Sequence, residues 1–507
     1  MKILYIPLDE RPCNFYYPQM IANLQNQLTL VLPPRELLGN KKQAANVDSL
    51  WRWIDQQIAD CQLAIFSIEM LVYGGLLPSR LHTHNIETLI ERLHRIHHLK
   101  TTRPQLIIFA SNLIMRSPAY NSSEEEPDYY AAFGESIFNW GWLKDKSNRV
   151  GLTPPEEDQL TQIDQALPPT YLNDYQLRRE KNLAINQAVI DLVQRGIISF
   201  LSIPQDDCAP YGFTAIDQKQ VVGKIAEMRL QRQVHLYPGA DEVGCTLLAR
   251  AYAQLTQKRK KLYLLYSSVN SEQIVPRYED RPLGESIKSH ILAVGAQMVA
   301  TPEAADCILA VNTAGHIMQE AWDQAIQDLT YTSHRNLRFF VAEIEQFLTA
   351  GYQVAIADVA FTNGGETELV QLLDDTALWE QTLAYAGWNT SCNTIGTVLA
   401  TALMGLESDH PQAIDFNKIY HLLEGWAYQS VVRMDMVKHY LPTIGATYYD
   451  FNGKDTVINL EMARRIRAVW TSVMHQSFQH WEITQMDVFS PWQRMFEIGI
   501  QMELKQL

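Results

Sequence analysis

Ile198-Ser199-Phe200-Leu201-Ser202-Ile203-Pro204-Gln205-Asp206-Asp207-Cys208-Ala209-Pro210-Tyr211-Gly212 is the stretch on which the reading of this chain turns. A short apolar run ends at a proline, two consecutive acids follow, and Pro210 and Gly212 delay any helix. Strands buried on both faces of a parallel sheet run apolar in this way, and their carboxyl ends open onto the ligand crevice of α/β folds. The stretch therefore predicts an α/β protein with two carboxylates where chemistry takes place.

Similar runs lie on either side. The spacing predicts strands over Lys2–Ile6, Leu28–Leu32, Leu63–Ile68, Gln105–Ala110, Ile198–Ile203 and Val234–Tyr237, then over Leu262–Tyr266, Cys307–Val311, Gln353–Ala357 and Leu383–Ala386. Helix-spaced segments separate most of them, as βα repeats require. The expected fold is a parallel βα repeat, TIM-barrel-like or doubly wound, over residues 1–257. A smaller α/β unit over 258–401 and a mainly helical region over 402–507 follow. The basic run Gln257-Lys258-Arg259-Lys260-Lys261 marks the first boundary or is simply a cationic helix end favoured by the helix dipole. No repeat of fixed period is visible, although Asp9-Glu10-Arg11-Pro12 and Glu279-Asp280-Arg281-Pro282 look alike.

Composition narrows the function. A formal net charge of -15 excludes the cationic surplus that nucleic-acid binding needs. Six cysteines without a C-x-x-C pair indicate neither a disulfide framework nor a zinc knuckle, and reduced thiols suit a cytoplasmic protein. No apolar run has the length of a membrane span, and the N-terminal segment reads as a strand instead of a secretory signal.

Polar residues at the other strand ends extend the candidate site. They are Asp9, Glu10, Arg11 and Asn14; Asn112; Tyr211; Asp241 and Glu242; Asp358 and Asn363; and Trp388, Asn389 and Asn393. Paired carboxylates raise one another's pKa and so place an acid beside an anion, the arrangement that general acid catalysis uses. An indole among amides suits a sugar ring. The structural alternatives are helix caps at Asp241 and Glu242 and an Asx-turn or N-cap at Asn389 or Asn393. The loop from Ser117 to Val150, with three successive glutamates and many aromatics, is either a lid or an extra helix packed on the core. Arg433 and Arg494 either clamp a substrate carboxylate or tie a helix end to the core. The histidines lack zinc spacing, and no dinucleotide or phosphate loop occurs. The expectation is therefore no cofactor, with Mg²⁺ or Mn²⁺ on the clustered acids as the alternative.

The motifs at Pro7–Asn14, Asp206–Tyr211, Gly239–Glu242 and Ala386–Thr394 together resemble a bacterial family catalogued as domain of unknown function 4127. The resemblance spans nearly the whole chain and implies no established activity. A looser analogy, to glycosidases with adjacent aspartates, implies Asp207 as general acid and Asp206 as the residue orienting an acetamido group. The leading expectation is thus a glycoside hydrolase acting on a small-molecule or oligosaccharide substrate. A metal-dependent hydrolase or lyase and a non-catalytic metabolite-binding protein stand as alternatives.

Overall fold

The apolar runs become strands. In the computed structural model, which describes residues 1–507, these are β1 (Lys2–Ile6), β2 (Thr29–Val31), β3 (Leu63–Ser67), β4 (Ile107–Ser111), β5 (Phe200–Gln205), β6 (Val234–Pro238), β7 (Lys261–Tyr266), β8 (Gln297–Met298), β9 (Cys307–Thr313), β10 (Val354–Val359), β11 (Ala384–Ala386), β12 (Trp481–Phe489) and β13 (Gly499–Gln506). All ten expected strands are present with small shifts at their ends. β3, β5, β9 and β10 are buried along their whole length, which explains why they read as uninterrupted apolar runs. Each large side chain so buried stabilises by roughly 1.5–3 kcal/mol.

Contacts divide the chain into two units. The first comprises Met1–Glu10, Thr29–Leu247 and Tyr278–Asp280; the second comprises Arg11–Leu28, Leu248–Arg277 and Arg281–Leu507. This division runs through the helix Val243–Thr256 and leaves the basic run at 257–261 inside the second unit, where Lys258 and Lys260 bind Glu407 at 2.9 and 2.6 Å.

The first unit is built on a six-stranded sheet of order β2-β1-β3-β4-β5-β6 with every neighbour parallel. Its edges are β2 and β6, so it is an open, doubly wound sheet and not a closed barrel. The second unit holds a five-stranded parallel sheet, β11-β10-β9-β7-β8. Counted from its own first strand, it runs 2-1-3-4-5, the same order as the first five strands of the other sheet. The two similar tetrapeptides occupy equivalent places, each between the first strand of a sheet and the helix that follows it, Pro12–Ala22 or Leu283–Ala293.

The C-terminal region is largely helical, including Ser391–Gly405, Pro411–His421 and Asp455–Val473. It also contains an 11-residue π-helix, Leu422–Val432, and an antiparallel hairpin of β12 and β13 that the sequence reading missed. No helix is long and apolar enough to cross a membrane.

Candidate functional site

In the first unit β5 ends at Gln205, and Asp206 and Asp207 lie in the bend beyond it. Asp207 has φ 40°, a left-handed conformation rare for a residue with a side chain, so the turn is held against a local cost. The chain after β4 stays paired with β5, Asn112 N donating to Ser202 O at 3.0 Å and Ile114 N to Pro204 O at 3.0 Å, which brings Arg116 to the same strand end. From the other side, Arg149 donates to Pro210 O at 2.8 Å and Gly212 N donates to Asp145 at 3.1 Å, fixing the far end of the loop.

Two buried arginines sit behind the acids. Arg80 Nη2 donates to Asp206 Oδ2 at 2.7 Å, and Arg116 Nη1 donates to Asp207 Oδ2 at 3.2 Å. Both guanidinium groups also reach the glutamates of the 117–150 loop. Glu125 Oε2 lies 2.9 Å from each, and Glu126 Oε1 lies 3.5 Å from Arg80 and 2.8 Å from Arg116. Four carboxylates therefore share two cations. The Asp206 and Asp207 side chains stay 20% and 25% exposed while Arg80 is 2% exposed, so the mostly buried acids reach solvent at one edge and the cations do not.

Burial, and then the charge of Asp207, raises Asp206 to about 6 against the opposing pull of Arg80 and Arg116. Burial likewise raises Asp207, with Glu125 and Glu126 adding to it and the two arginines opposing. The two titrate as a pair that retains a proton well above the usual carboxylate range. A third acid, Glu69, opens the single-turn π-helix Glu69–Tyr73 and accepts from Asn112 Nδ2 at 2.8 Å, Leu113 N at 2.7 Å and Ser67 Oγ at 3.1 Å. Its burial outweighs these donors and raises it to about 7. Glu69, Asp206, Arg80 and Arg116 line one cavity of about 10 Å³, room for about one water.

The loop 117–150 contains the packed helix that its aromatics suggested, and its glutamates add charge at the acid pair. Glu125 and Glu126 enter the charged cluster, and the helix Tyr130–Arg149 buries Tyr130 and Ile137 against Tyr175 and Phe213. The sequence reading missed Arg80, which lies in the helix Leu76–Leu81 without a motif to announce it.

The other expected site residues divide between the units. Asp9, Glu10, Asn112, Tyr211, Asp241 and Glu242 belong to the first, and Arg11, Asn14, Asp358, Asn363, Trp388, Asn389 and Asn393 to the second. Several have structural work. Glu10 accepts from Lys41 N at 2.8 Å. Asn112 holds Glu69, and Tyr211 lies under Arg149, 4.6 Å from its ring centroid. Glu242 accepts from Ala240 N at 2.9 Å, and a Cβ on Gly239, at φ 144°, would stand 2.3 Å from its carboxylate. Asp9 and Asn14 are buried. Asp241 adds negative charge beside Asp206.

In the second unit, strand ends β9 and β10 carry a closed network. Asn312 donates to Asp358 at 2.9 Å and to Glu366 at 2.7 Å, and Arg335 grips both oxygens of Glu366 at 2.6 and 2.5 Å. Tyr385 OH and Glu366 N donate to Asp358 at 3.2 and 2.6 Å, and burial followed by the charge of Glu366 raises Asp358 to about 7. Trp388 corrects its expected role: it is 3% exposed, its indole N–H donates to Thr397 at 3.3 Å, and Tyr17 packs edge-on at 5.1 Å, so no ring face is open to a sugar. Asn389, at φ 52°, accepts from Thr390 N at 2.9 Å, and Asn393 donates to Thr390 Oγ1 at 2.9 Å. Both support the start of the helix Ser391–Gly405. Asn363, at φ 61°, donates to Glu320 at 2.9 Å.

The two C-terminal arginines differ. Arg494 is held by both oxygens of Glu497, at 3.1 and 3.0 Å. Arg433, 1% exposed, reaches the carbonyls of Phe496 and Asn363, at 3.2 and 3.4 Å, and the rings of Trp322 and Phe496 at 4.8 and 5.9 Å, with no carboxylate bonded to it. Arg11 lies 4.6 Å over the Trp492 ring and Arg494 4.5 Å from it. No group of three or more His, Cys, Asp or Glu side chains is arranged to hold a metal ion.

Fold and site together define an α/β protein of two doubly wound parallel sheets, the first carrying solvent-facing carboxylates on buried arginines at a strand end. A family model described as "Protein of unknown function (DUF4127)" matches residues 3–501, and the chain belongs to that family. No curated protein and no solved structure matches it.

Proposed function

We propose that the first unit is a glycoside hydrolase in which Asp206 and Asp207 act as one acid pair. The observation that carries this reading is the solvent-facing pair itself, backed by Arg80 and Arg116, with Asp206 raised to about 6. General acid catalysis needs a carboxyl that still holds its proton near the working pH, and this pair meets that requirement.

The charge balance suggests the substrate. With four carboxylates to two guanidinium groups, the cluster repels anions and accepts neutral molecules, and it stabilises positive charge that develops during reaction. Cleavage of a glycosidic bond through an oxocarbenium-like transition state fits both conditions. One carboxyl of the pair donates its proton to the leaving oxygen as the glycosidic C–O bond breaks, the other carboxylate faces the cationic sugar carbon or an acetamido group beside it, and a water then adds at that carbon and returns a proton to the pair. Both acids are raised and share the proton, so the pair also serves with Asp207 as the donor, as the sequence analogy implies. Glu69, raised to about 7 and lining the same water-sized cavity, is the second group able to exchange a proton there.

The test is a panel of chromogenic glycosides, N-acetylated ones included, offered to the full-length protein and to Asp206→Asn and Asp207→Asn. The expected result is cleavage of at least one glycoside by the parent and a loss of about 10²–10⁴-fold in each variant with Tm unchanged. No cleavage by the parent, or undiminished cleavage by both variants, defeats the proposal.

A further inference from the structure

The second unit contains an open groove of about 610 Å³, within the size range of small-molecule sites. Three segments form it: the turn after the helix Pro12–Ala22, the first turns of the helix Pro411–His421, and one end of the β12–β13 hairpin. Its lining contains no Asp, Glu, Lys or Arg, in a chain of which 20% is charged. Five amide side chains and two aromatic rings take their place.

These groups are not equivalent. Gln25 is already engaged, receiving Tyr252 OH at 2.8 Å and donating to Met404 O at 2.5 Å. Asn26 meets His410 at the rim. The exposed amides of Asn23 and Gln412 have no partner in the protein and stand ready for a ligand. Asn417 is 2% exposed, and its Nδ2 is directed at the carbonyls of Ala413 and Met20, 2.8 and 3.4 Å away, which leaves its carbonyl oxygen unpaired.

The rings are held differently. Trp481 is partly exposed, and its indole N–H is pinned to Asp415 Oδ2 at 3.0 Å, which Lys418 in turn braces through the other oxygen at 3.1 Å. An indole fixed by its N–H in this way is a preorganised platform. Phe416, also partly exposed, stacks on no other ring.

We infer that this groove binds a neutral saccharide, the C–H face of one pyranose lying on Trp481 and its hydroxyls meeting the amides of Asn23 and Gln412. Hydroxyls both donate and accept, as carboxamides do, and a wall whose one ionisable side chain, His410, is engaged by Asn26 offers little to balance an ionic ligand. Trp388 has the sequence signature of such a platform, but Trp481 has the exposure. The inference stands apart from the acid pair in the first unit, since it concerns binding and not cleavage.

The full-length protein is titrated with maltotriose, cellotriose, xylotriose and N,N′,N″-triacetylchitotriose by calorimetry and by tryptophan fluorescence. The expected result is saturable binding of at least one, weakened at least about tenfold by Trp481→Ala and by the double variant Asn23→Ala/Gln412→Ala. The double variant changes only exposed side chains, so its Tm should match the parent, and Asp206→Asn should bind as the parent does. The inference is overturned if none of the four binds, if both groove variants bind undiminished, or if Asp206→Asn alone abolishes binding. Preference for a charged trisaccharide such as chitosan trimer or trigalacturonate would overturn it equally.

Discussion

The two parallel sheets share a strand order, and each carries a cluster of acids and arginine at its strand ends, yet the clusters are opposites. At β9 and β10 every oxygen of Asp358 and Glu366 has a donor, Arg335 is 5% exposed, and the network is closed. At β5 two arginines serve four acids, one buried glutamate oxygen of Glu126 has no partner, and Asp206 and Asp207 face solvent. A satisfied buried network specifies structure, whereas an under-compensated one at a surface keeps a proton available. Topology alone does not distinguish scaffold from site; charge balance and exposure do.

Breaking the arginines should separate the two clusters most clearly. Arg335→Met leaves Glu366 buried without its cation and should cost about 3–5 kcal/mol in denaturant unfolding. Arg80→Met should cost less, because Asp206 and Glu125 reach water and Arg116 remains; an equal or larger loss at Arg80 would erase the contrast. If the acid pair acts as proposed, kcat/KM for the cleaved glycoside falls above a pH of about 6, roughly tenfold per pH unit, as the pair loses the proton it must donate. Arg80 opposes the rise in the Asp206 pKa, so in Arg80→Met that limb should move to higher pH. A limb that stays or moves lower would show that another group sets it. The smallest effect is expected from Trp388→Phe, which loses the bond to Thr397 and some packing. It should lower stability by about 1 kcal/mol while leaving turnover intact. A drop in turnover would return Trp388 to a binding role.

Much of this fold is legible in the amino-acid sequence, for a physical reason. Strands such as Leu63–Ser67 and Cys307–Thr313 are covered on both faces and must be apolar throughout. β12 is exposed at alternate positions and at both Thr484 and Gln485, so it offers no such run, and two-residue β8 is too short to leave one. The acid pair is legible because strand ends are where polar residues interrupt those runs. Arg80 is not, since its partners lie 45, 46 and 126 residues away. Trp388 misleads because its neighbouring amides and hydroxyls, which look like ligand contacts, bond to one another and to the backbone at the entry to the next helix.

The helix Pro12–Ala22 packs on the helices Ser391–Gly405 and Pro411–His421 within the second unit, although it follows directly on the first strand of the first. During translation it leaves the ribosome more than 360 residues before either partner exists. At about 5–20 residues per second that is a wait of roughly 20–75 s, during which Tyr17, Met20 and Ile21, all buried in the finished protein, have nothing to pack on. The nascent chain thus presents an early helix with an apolar face, and its docking belongs among the last events of biosynthesis.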